Sequence, residues 1–173
     1  INAACRKCPT CQKSGPEHCG SRTVLGILGR NGAFADYLSL PTDNLHEVPE
    51  NVTNNEAVFT EPLAAALRIF QQIAVDLCKP VAVIGPGRLG LLIAQALKVH
   101  GCDLIVLGRN DSSGKITKNL DLRYGKTDDY DDNSFDLVIE ATGNPEGFAQ
   151  SVRLTKPMGT VLLKSTFAAD NSM

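Results

Sequence analysis

Val81-Ala82-Val83-Ile84-Gly85-Pro86-Gly87-Arg88-Leu89-Gly90-Leu91-Leu92-Ile93-Ala94-Gln95-Ala96-Leu97 is the stretch that decides the fold. A short apolar, β-favouring run enters Gly-x-Gly-x-x-Gly and leaves it as an Ala- and Leu-rich helical pattern. Each glycine has its own physical task. Gly85 permits a tight turn, Gly87 lets the backbone approach a pyrophosphate, and Gly90 lets helix and strand pack closely. Arg88 and Leu89 share this loop as candidate cofactor-binding residues, and the free N–H groups and dipole of the helix that follows favour an anion at its start. A strand–turn–helix with a purely structural role is the alternative. The context of strand before and helix after makes a dinucleotide site the stronger reading.

Working outward, the chain alternates. Strands are expected at Leu104–Leu107, Phe135–Ala141 and Thr160–Lys164, with helices at Leu89–His100 and Pro145–Thr155. The polar, Asp-rich stretch 111–133 has room for a short helix and a weak strand. Alternation of this kind implies an α/β fold, a doubly wound parallel sheet of the Rossmann type with helices on both faces. Upstream, Pro62 suits the first turn of a helix whose apolar face would carry Leu63, Ala66, Leu67, Phe70 and Ile73. Residues 23–60 read as short strands and turns, with Ala33–Leu38 strand-like and Pro41 and Pro49 in loops.

The ribose nearest the adenine is read at the end of the second strand. There the chain has Gly108-Arg109-Asn110, where an NAD site usually presents Asp or Glu. Gly108 removes the repulsion a carboxylate would exert on a 2′-phosphate, and the planar fork of Arg109 can pair with that phosphate. NADP is therefore favoured over NAD. The alternative leaves Arg109 as a solvated turn residue and moves the acidic role to Asp111.

Of six cysteines, Cys5, Cys8, Cys11 and Cys19 form C-x2-C-x2-C-x7-C near the start, and Cys78 and Cys102 stand alone. Residues 1–22 have almost no large apolar side chains, so burial cannot order them. Four thiolates closing on Zn²⁺ can, through a redox-inert structural cross-link. An iron–sulfur cluster is the rival. Its common motif, however, places the fourth Cys three residues on and before Pro, whereas Cys19 follows after seven and precedes Gly20. His18 is a weaker ligand candidate.

Composition narrows the functions further. The 173 residues carry 17 basic and 19 acidic side chains, a net charge of −2, with 43% apolar residues. That balance excludes a strongly basic nucleic-acid partner, and apolar runs this short do not span a membrane. No charged segment followed by an apolar stretch opens the chain, and a cytoplasmic location is expected.

The cysteine loop, Gly32-Ala33-Phe34-Ala35-Asp36-Tyr37, Leu45–Pro49, Thr60-Glu61-Pro62-Leu63 and Gly85–Gly90, in that order, resemble the zinc-containing alcohol dehydrogenases of the medium-chain dehydrogenase/reductase superfamily. The resemblance spans residues 5–164. It implies part of a GroES-like, β-rich catalytic domain with a structural-zinc lobe (residues 1–75), followed by a Rossmann dinucleotide-binding domain (76–173). The chemistry implied is hydride transfer between NAD(P) and a small-molecule alcohol or carbonyl at a second, catalytic zinc. Glu61 matches the carboxylate that polyol-type members hold at or near that zinc, a catalytic and metal-binding role. It could equally begin the Pro62 helix, where negative charge complements the dipole. Thr142-Gly143-Asn144, after the Phe135–Ala141 strand, resembles the family's turn that contacts the cofactor, with Thr142 and Gly143 as the candidate binding residues. Family members are commonly dimers or tetramers, and supply a further Cys and a His-Glu pair from a segment expected before Ile1. A non-catalytic dinucleotide-binding regulatory or redox-sensing module is the other functional reading.

Overall fold

The structure, a computed structural model, describes residues 1–13 and 15–166; the final residues expected in the second domain, 167–173, lie outside these. Two compact units are present, Ile1–Glu61 and a second beginning at Pro62.

In the first unit, strand β1 (Asn2–Ala3) pairs antiparallel with β2 (Thr23–Val24). Helix α1 (Pro9–Lys13) and a single 3-10 turn, Pro16–His18, lie between them. Helix α2 (Asn54–Ala57) begins with a capping box. Thr53 accepts from the Glu56 amide, and Glu56 accepts from the Thr53 amide at 2.9 Å. The strand expected at Ala33–Leu38 is absent, and Leu45–Pro49 is likewise irregular. Phe34 and Tyr37 are fully exposed. Alternation alone does not make a strand: the backbone needs a partner to pair with, and none pairs with this segment among the described residues.

Helices α3 (Thr60–Leu67) and α4 (Ile69–Gln72) replace the single helix expected after Pro62. Their buried face also differs from the one read from spacing. Ala66 and Ile69 are buried, Phe70 and Ile73 partly so, while Leu63 and Leu67 are exposed. Arg68 keeps helical backbone angles, and Ala66, Ile69, Phe70 and Ile73, spaced i, i+3, i+4 and i+7, form one stripe that leaves Leu63 and Leu67 outside it.

The sheet has order β5-β4-β3-β6-β7, all parallel. Its strands are β3 (Val81–Ile84), β4 (Leu104–Gly108), β5 (Tyr124–Lys126), β6 (Phe135–Glu140) and β7 (Thr155–Leu163). The connecting helices are α5 (Arg88–Val99), α6 (Asp111–Asn119) and α7 (Pro145–Leu154). Central β3 is buried along its whole length, as a strand covered on both faces must be. Alternate residues supply the two faces. Val81, Val83, Val106 and Ile139 pack with Ile93, Ala94 and Leu97 of α5, whereas Ala82, Ile84, Leu107 and Val138 pack with Leu154 of α7.

β7 starts earlier than the expected Thr160–Lys164. Its pairing jumps from Phe135–Thr155 to Leu137–Thr160, leaving a bulge that exposes Met158 at positive φ. The Lys156-Pro157 segment hides such a strand from pattern reading, because a bulge breaks the alternation. From β3 the chain first moves outward through β4 and β5, then crosses to β6 and β7. The carboxyl ends of β3, β4 and β6 therefore flank a topological switch point, where open α/β sheets form a crevice.

Candidate functional site

That crevice is present. A cleft of about 260 Å³ is lined by Ile84, Gly85, Pro86 and Gly87 from the first loop, and by Leu107 to Asn110 from the second. Thr142, Asn144, Glu146 and Gly147 close its other side. Of the residues singled out in sequence, Gly85, Gly87, Gly108, Arg109, Asn110 and Thr142 line it. Arg88, Leu89, Gly90 and Gly143 do not.

The glycines fall into distinct classes. Gly85 has φ of +102°, and a Cβ there would lie 2.8 Å from the Ala141 backbone. At Gly90 a Cβ would sit 1.9 Å from the Gly85 carbonyl oxygen, so this glycine brings α5 against the loop. A Cβ at Gly87 would meet nothing within 4 Å. Gly87 is also the N-cap of α5 and offers no side-chain cap, so the first amides of the helix are left to other acceptors. Leu89, partly buried, packs on the core beneath.

Gly108 has a packing reason of its own. A Cβ there would meet Pro86 Cγ and the Tyr124 hydroxyl, both at 2.8 Å. Gly114 of α6 is crowded by the same tyrosine ring. The lack of an acidic residue at 108 thus follows from the seating of Tyr124, and the case for a 2′-phosphate rests on Arg109 alone. Tyr124 donates from its hydroxyl to the Asn110 carbonyl at 2.7 Å. The Asn110 side chain caps α6, accepting from the Ser113 amide at 3.0 Å and the Ser112 hydroxyl at 2.9 Å. Asp111 follows it, exposed and paired with Lys126 at 3.4 Å.

On the opposite wall, Asn144 caps α7 through the Gly147 amide at 2.7 Å. Thr142 is held by Glu140, a fully buried carboxylate that accepts from the Thr142 amide at 2.6 Å and from the Thr142 and Ser165 hydroxyls. Arg109 reaches this wall: its guanidinium pairs with Glu146 at 2.8 Å. Tyr124, Glu140 and Glu146 were not among the residues singled out from sequence. Asn144-Pro145 carried a visible signal, a capping residue before Pro at a helix start. The pairing of Arg109 with Glu146, 37 positions apart, carried none.

In the first unit the four clustered cysteines converge. The Sγ atoms of Cys5, Cys8, Cys11 and Cys19 all lie within 4.8 Å of one another. Cys5–Cys19 and Cys8–Cys11 are 3.5 Å apart, and Cys5–Cys11 and Cys8–Cys19 are 3.9 Å apart. A zinc ion with bonds of about 2.3 Å would set tetrahedral edges of about 3.8 Å, so the set fits a structural zinc. Arg6, at φ of +60°, turns the chain so that the amides of Lys7 and Cys8 face Cys5. Those amides, with the Cys19 and Cys8 thiols, draw the Cys5 thiol down to about 6. Burial first, then the Cys8 and Cys19 thiols, push Cys11 up to about 12. Thiols crowded this way cannot all ionise without a cation among them. His18 is exposed. This is the only gathered set of metal-binding side chains among the described residues, and Glu61, exposed in the first turn of α3, is not part of it.

Residues 1–50 match the model of the alcohol dehydrogenase GroES-like domain. The chain is 28% identical over 177 residues to a sorbitol dehydrogenase of Halalkalibacterium halodurans, covering 95% of this chain and 51% of that one. D-arabinitol dehydrogenase 1 of Uromyces fabae is also 28% identical, with 96% and 52% covered. A structure described as a zinc-binding dehydrogenase from Sinorhizobium meliloti 1021 bound to NADP superposes with a TM-score of 0.85 at 26% identity, over 99% of this chain and 54% of that one. The chain thus spans about half the length of the curated relatives it matches. Its GroES-like segment, thiolate cluster and parallel five-stranded sheet are similar to the zinc-binding and polyol dehydrogenases among these relatives.

Proposed function

We propose that this chain serves a zinc-dependent oxidoreductase of the alcohol or polyol dehydrogenase type, binding NADP in preference to NAD. The observation that carries the reading is the cleft at the switch point, with an uncapped α5 amino terminus on one wall and the free space beside Gly87 in front of it. Hydride exchange with an alcohol or carbonyl carbon, assisted by a Lewis-acidic metal, is the chemistry that the nicotinamide and catalytic zinc of this family supply when bound.

The residues of this chain divide the remaining work. The turn at Gly85 and the close packing at Gly90 hold the first amides of α5 toward a diphosphate. Thr142, fixed by Glu140, borders the cleft beside them. Arg109 offers its guanidinium to a 2′-phosphate, and Glu61 is assigned, by resemblance alone, to the catalytic metal. Cys5, Cys8, Cys11 and Cys19 hold a structural zinc. On this reading residues 1–75 belong to the catalytic portion and 76–173 to the coenzyme portion. The substrate is a small alcohol or carbonyl compound, and the resemblance further suggests a homodimer or homotetramer in the cytoplasm. Dehydrogenase names among the relatives support an enzyme over a binding module without catalysis.

Titration with NADPH and NADH, for the protein and for Arg109→Ala, tests the coenzyme assignment. Tighter binding of NADPH, lost in Arg109→Ala while NADH binding persists, is expected. An unchanged preference in the variant overturns the assignment of Arg109.

A further inference from the structure

Arg109 is the residue on which NADP selection rests, yet in the structure its guanidinium is already engaged. Its Nη1 lies 2.8 Å from a Glu146 carboxylate oxygen, and the two side chains come from opposite walls of the same cleft. Arg109 follows the end of β4, and Glu146 sits in the first turn of α7. Both are well exposed, at 70% and 64%. A phosphate arriving at Arg109 must therefore take the place of a carboxylate, since both anions seek the same donor fork.

We propose that Glu146 is a built-in competitor for the 2′-phosphate, so that the Arg109–Glu146 ion pair sets how strongly NADP is preferred. The inference rests on the coenzyme reading given above. Its logic is a difference between ligands. NADP displaces Glu146 from Arg109 and bears the cost of breaking that pair. NAD has no group for Arg109, so the pair survives its binding and costs it nothing. Removing the charge of Glu146 should then help NADP alone. An exposed ion pair is worth little, so the gain should be about two- to fivefold in affinity. It should shrink as salt screens the pair.

The test is calorimetric titration of NADP⁺ and NAD⁺ into the full chain, Glu146→Gln, Arg109→Ala and the double variant. Glutamine keeps the length of the side chain and its place in α7, and thermal unfolding of each protein checks that the fold is retained. Tighter NADP⁺ binding by Glu146→Gln, unchanged NAD⁺ binding, and no gain from Glu146→Gln in the Arg109→Ala background support the proposal. If Glu146→Gln leaves NADP⁺ binding unchanged while Arg109→Ala weakens it, the coenzyme reading stands and the competition is refuted. If the gain persists without Arg109, Glu146 acts on the phosphate directly, which also refutes it. If Arg109→Ala does not weaken NADP⁺ binding, the coenzyme reading fails and this inference with it.

Discussion

The two units of this chain keep their order by different means. In the first, the buried apolar positions are Ala3 and Cys19 alone among the described residues, while Ile27, Phe34, Tyr37 and Phe59 are exposed. In the second, both faces of a five-stranded sheet are closed, with Val81, Val83, Leu97, Val106, Leu107, Ile139 and Leu154 almost wholly withdrawn from solvent. One unit has a cluster of four thiols that fits a metal cross-link, and the other has a core. A short segment without apolar residues can still be specified if four thiolates meet at one point. The cleft needs the rigid sheet, because its loops leave from the ends of that sheet's strands.

The sharpest way to break the comparison is removal of the metal. Structural zinc in zinc-finger peptides contributes roughly 10–16 kcal/mol at pH 7, more than a lobe with so little core can replace. Chelation, or Cys19→Ser, should expose Lys7 and Lys13 to rapid cleavage by trypsin while leaving the thermal transition of the second unit in place. Acidification should do the same, since thiolates bind metal only when deprotonated and protons compete as pH falls. Gly90→Val comes next. Its Cβ would lie 1.9 Å from the Gly85 carbonyl oxygen. Helix and loop must part, with an expected loss above about 3 kcal/mol and of nucleotide binding, read by denaturant unfolding and titration.

Leu97→Ala sharpens the contrast from the other side. Leu97 is fully buried against the sheet, and its truncation should cost about 3 kcal/mol in the second unit. Trypsin sensitivity at Lys7 and Lys13 should not change. The smallest effect concerns Asp136, whose carboxyl is held below the usual range chiefly by its hydrogen bond from Lys156, with Lys79 adding charge. A depressed folded value means stability that is fully present above the unfolded carboxylate value and is lost as pH falls from there through the lower folded one. Asp136→Asn should flatten the decline in melting temperature between about pH 5 and pH 3, by a small amount because the pair is accessible to solvent.

What could be read in the residues follows the same division. Val81–Gly90 announces itself locally, because strand, turn and helix each leave their own period within one short window. Asn144 and Pro145 likewise mark a helix start. The four cysteines are legible through spacing alone. What failed was non-local. Ala33–Leu38 reads like a strand but pairs with no other segment among the described residues, and Leu63 and Leu67 fall at helical spacing but face solvent. Gly108 reads as an electrostatic choice until Tyr124, 16 positions on, is seen occupying the space. Glu140 gave no sign that a carboxylate at a strand end would be wholly buried and would hold Thr142 by hydrogen bonds from its amide and hydroxyl.

If the cleft at the switch point takes a dinucleotide, the second unit alone should suffice to form it. Amide chemical shifts followed during NADP⁺ titration of the zinc-depleted protein test it most directly. Saturable shifts concentrated at Gly85–Gly90, Gly108–Asn110 and Thr142–Gly147 are expected, with the first unit already disordered. Shifts absent from those three loops, or nucleotide binding lost with the zinc, would contradict it.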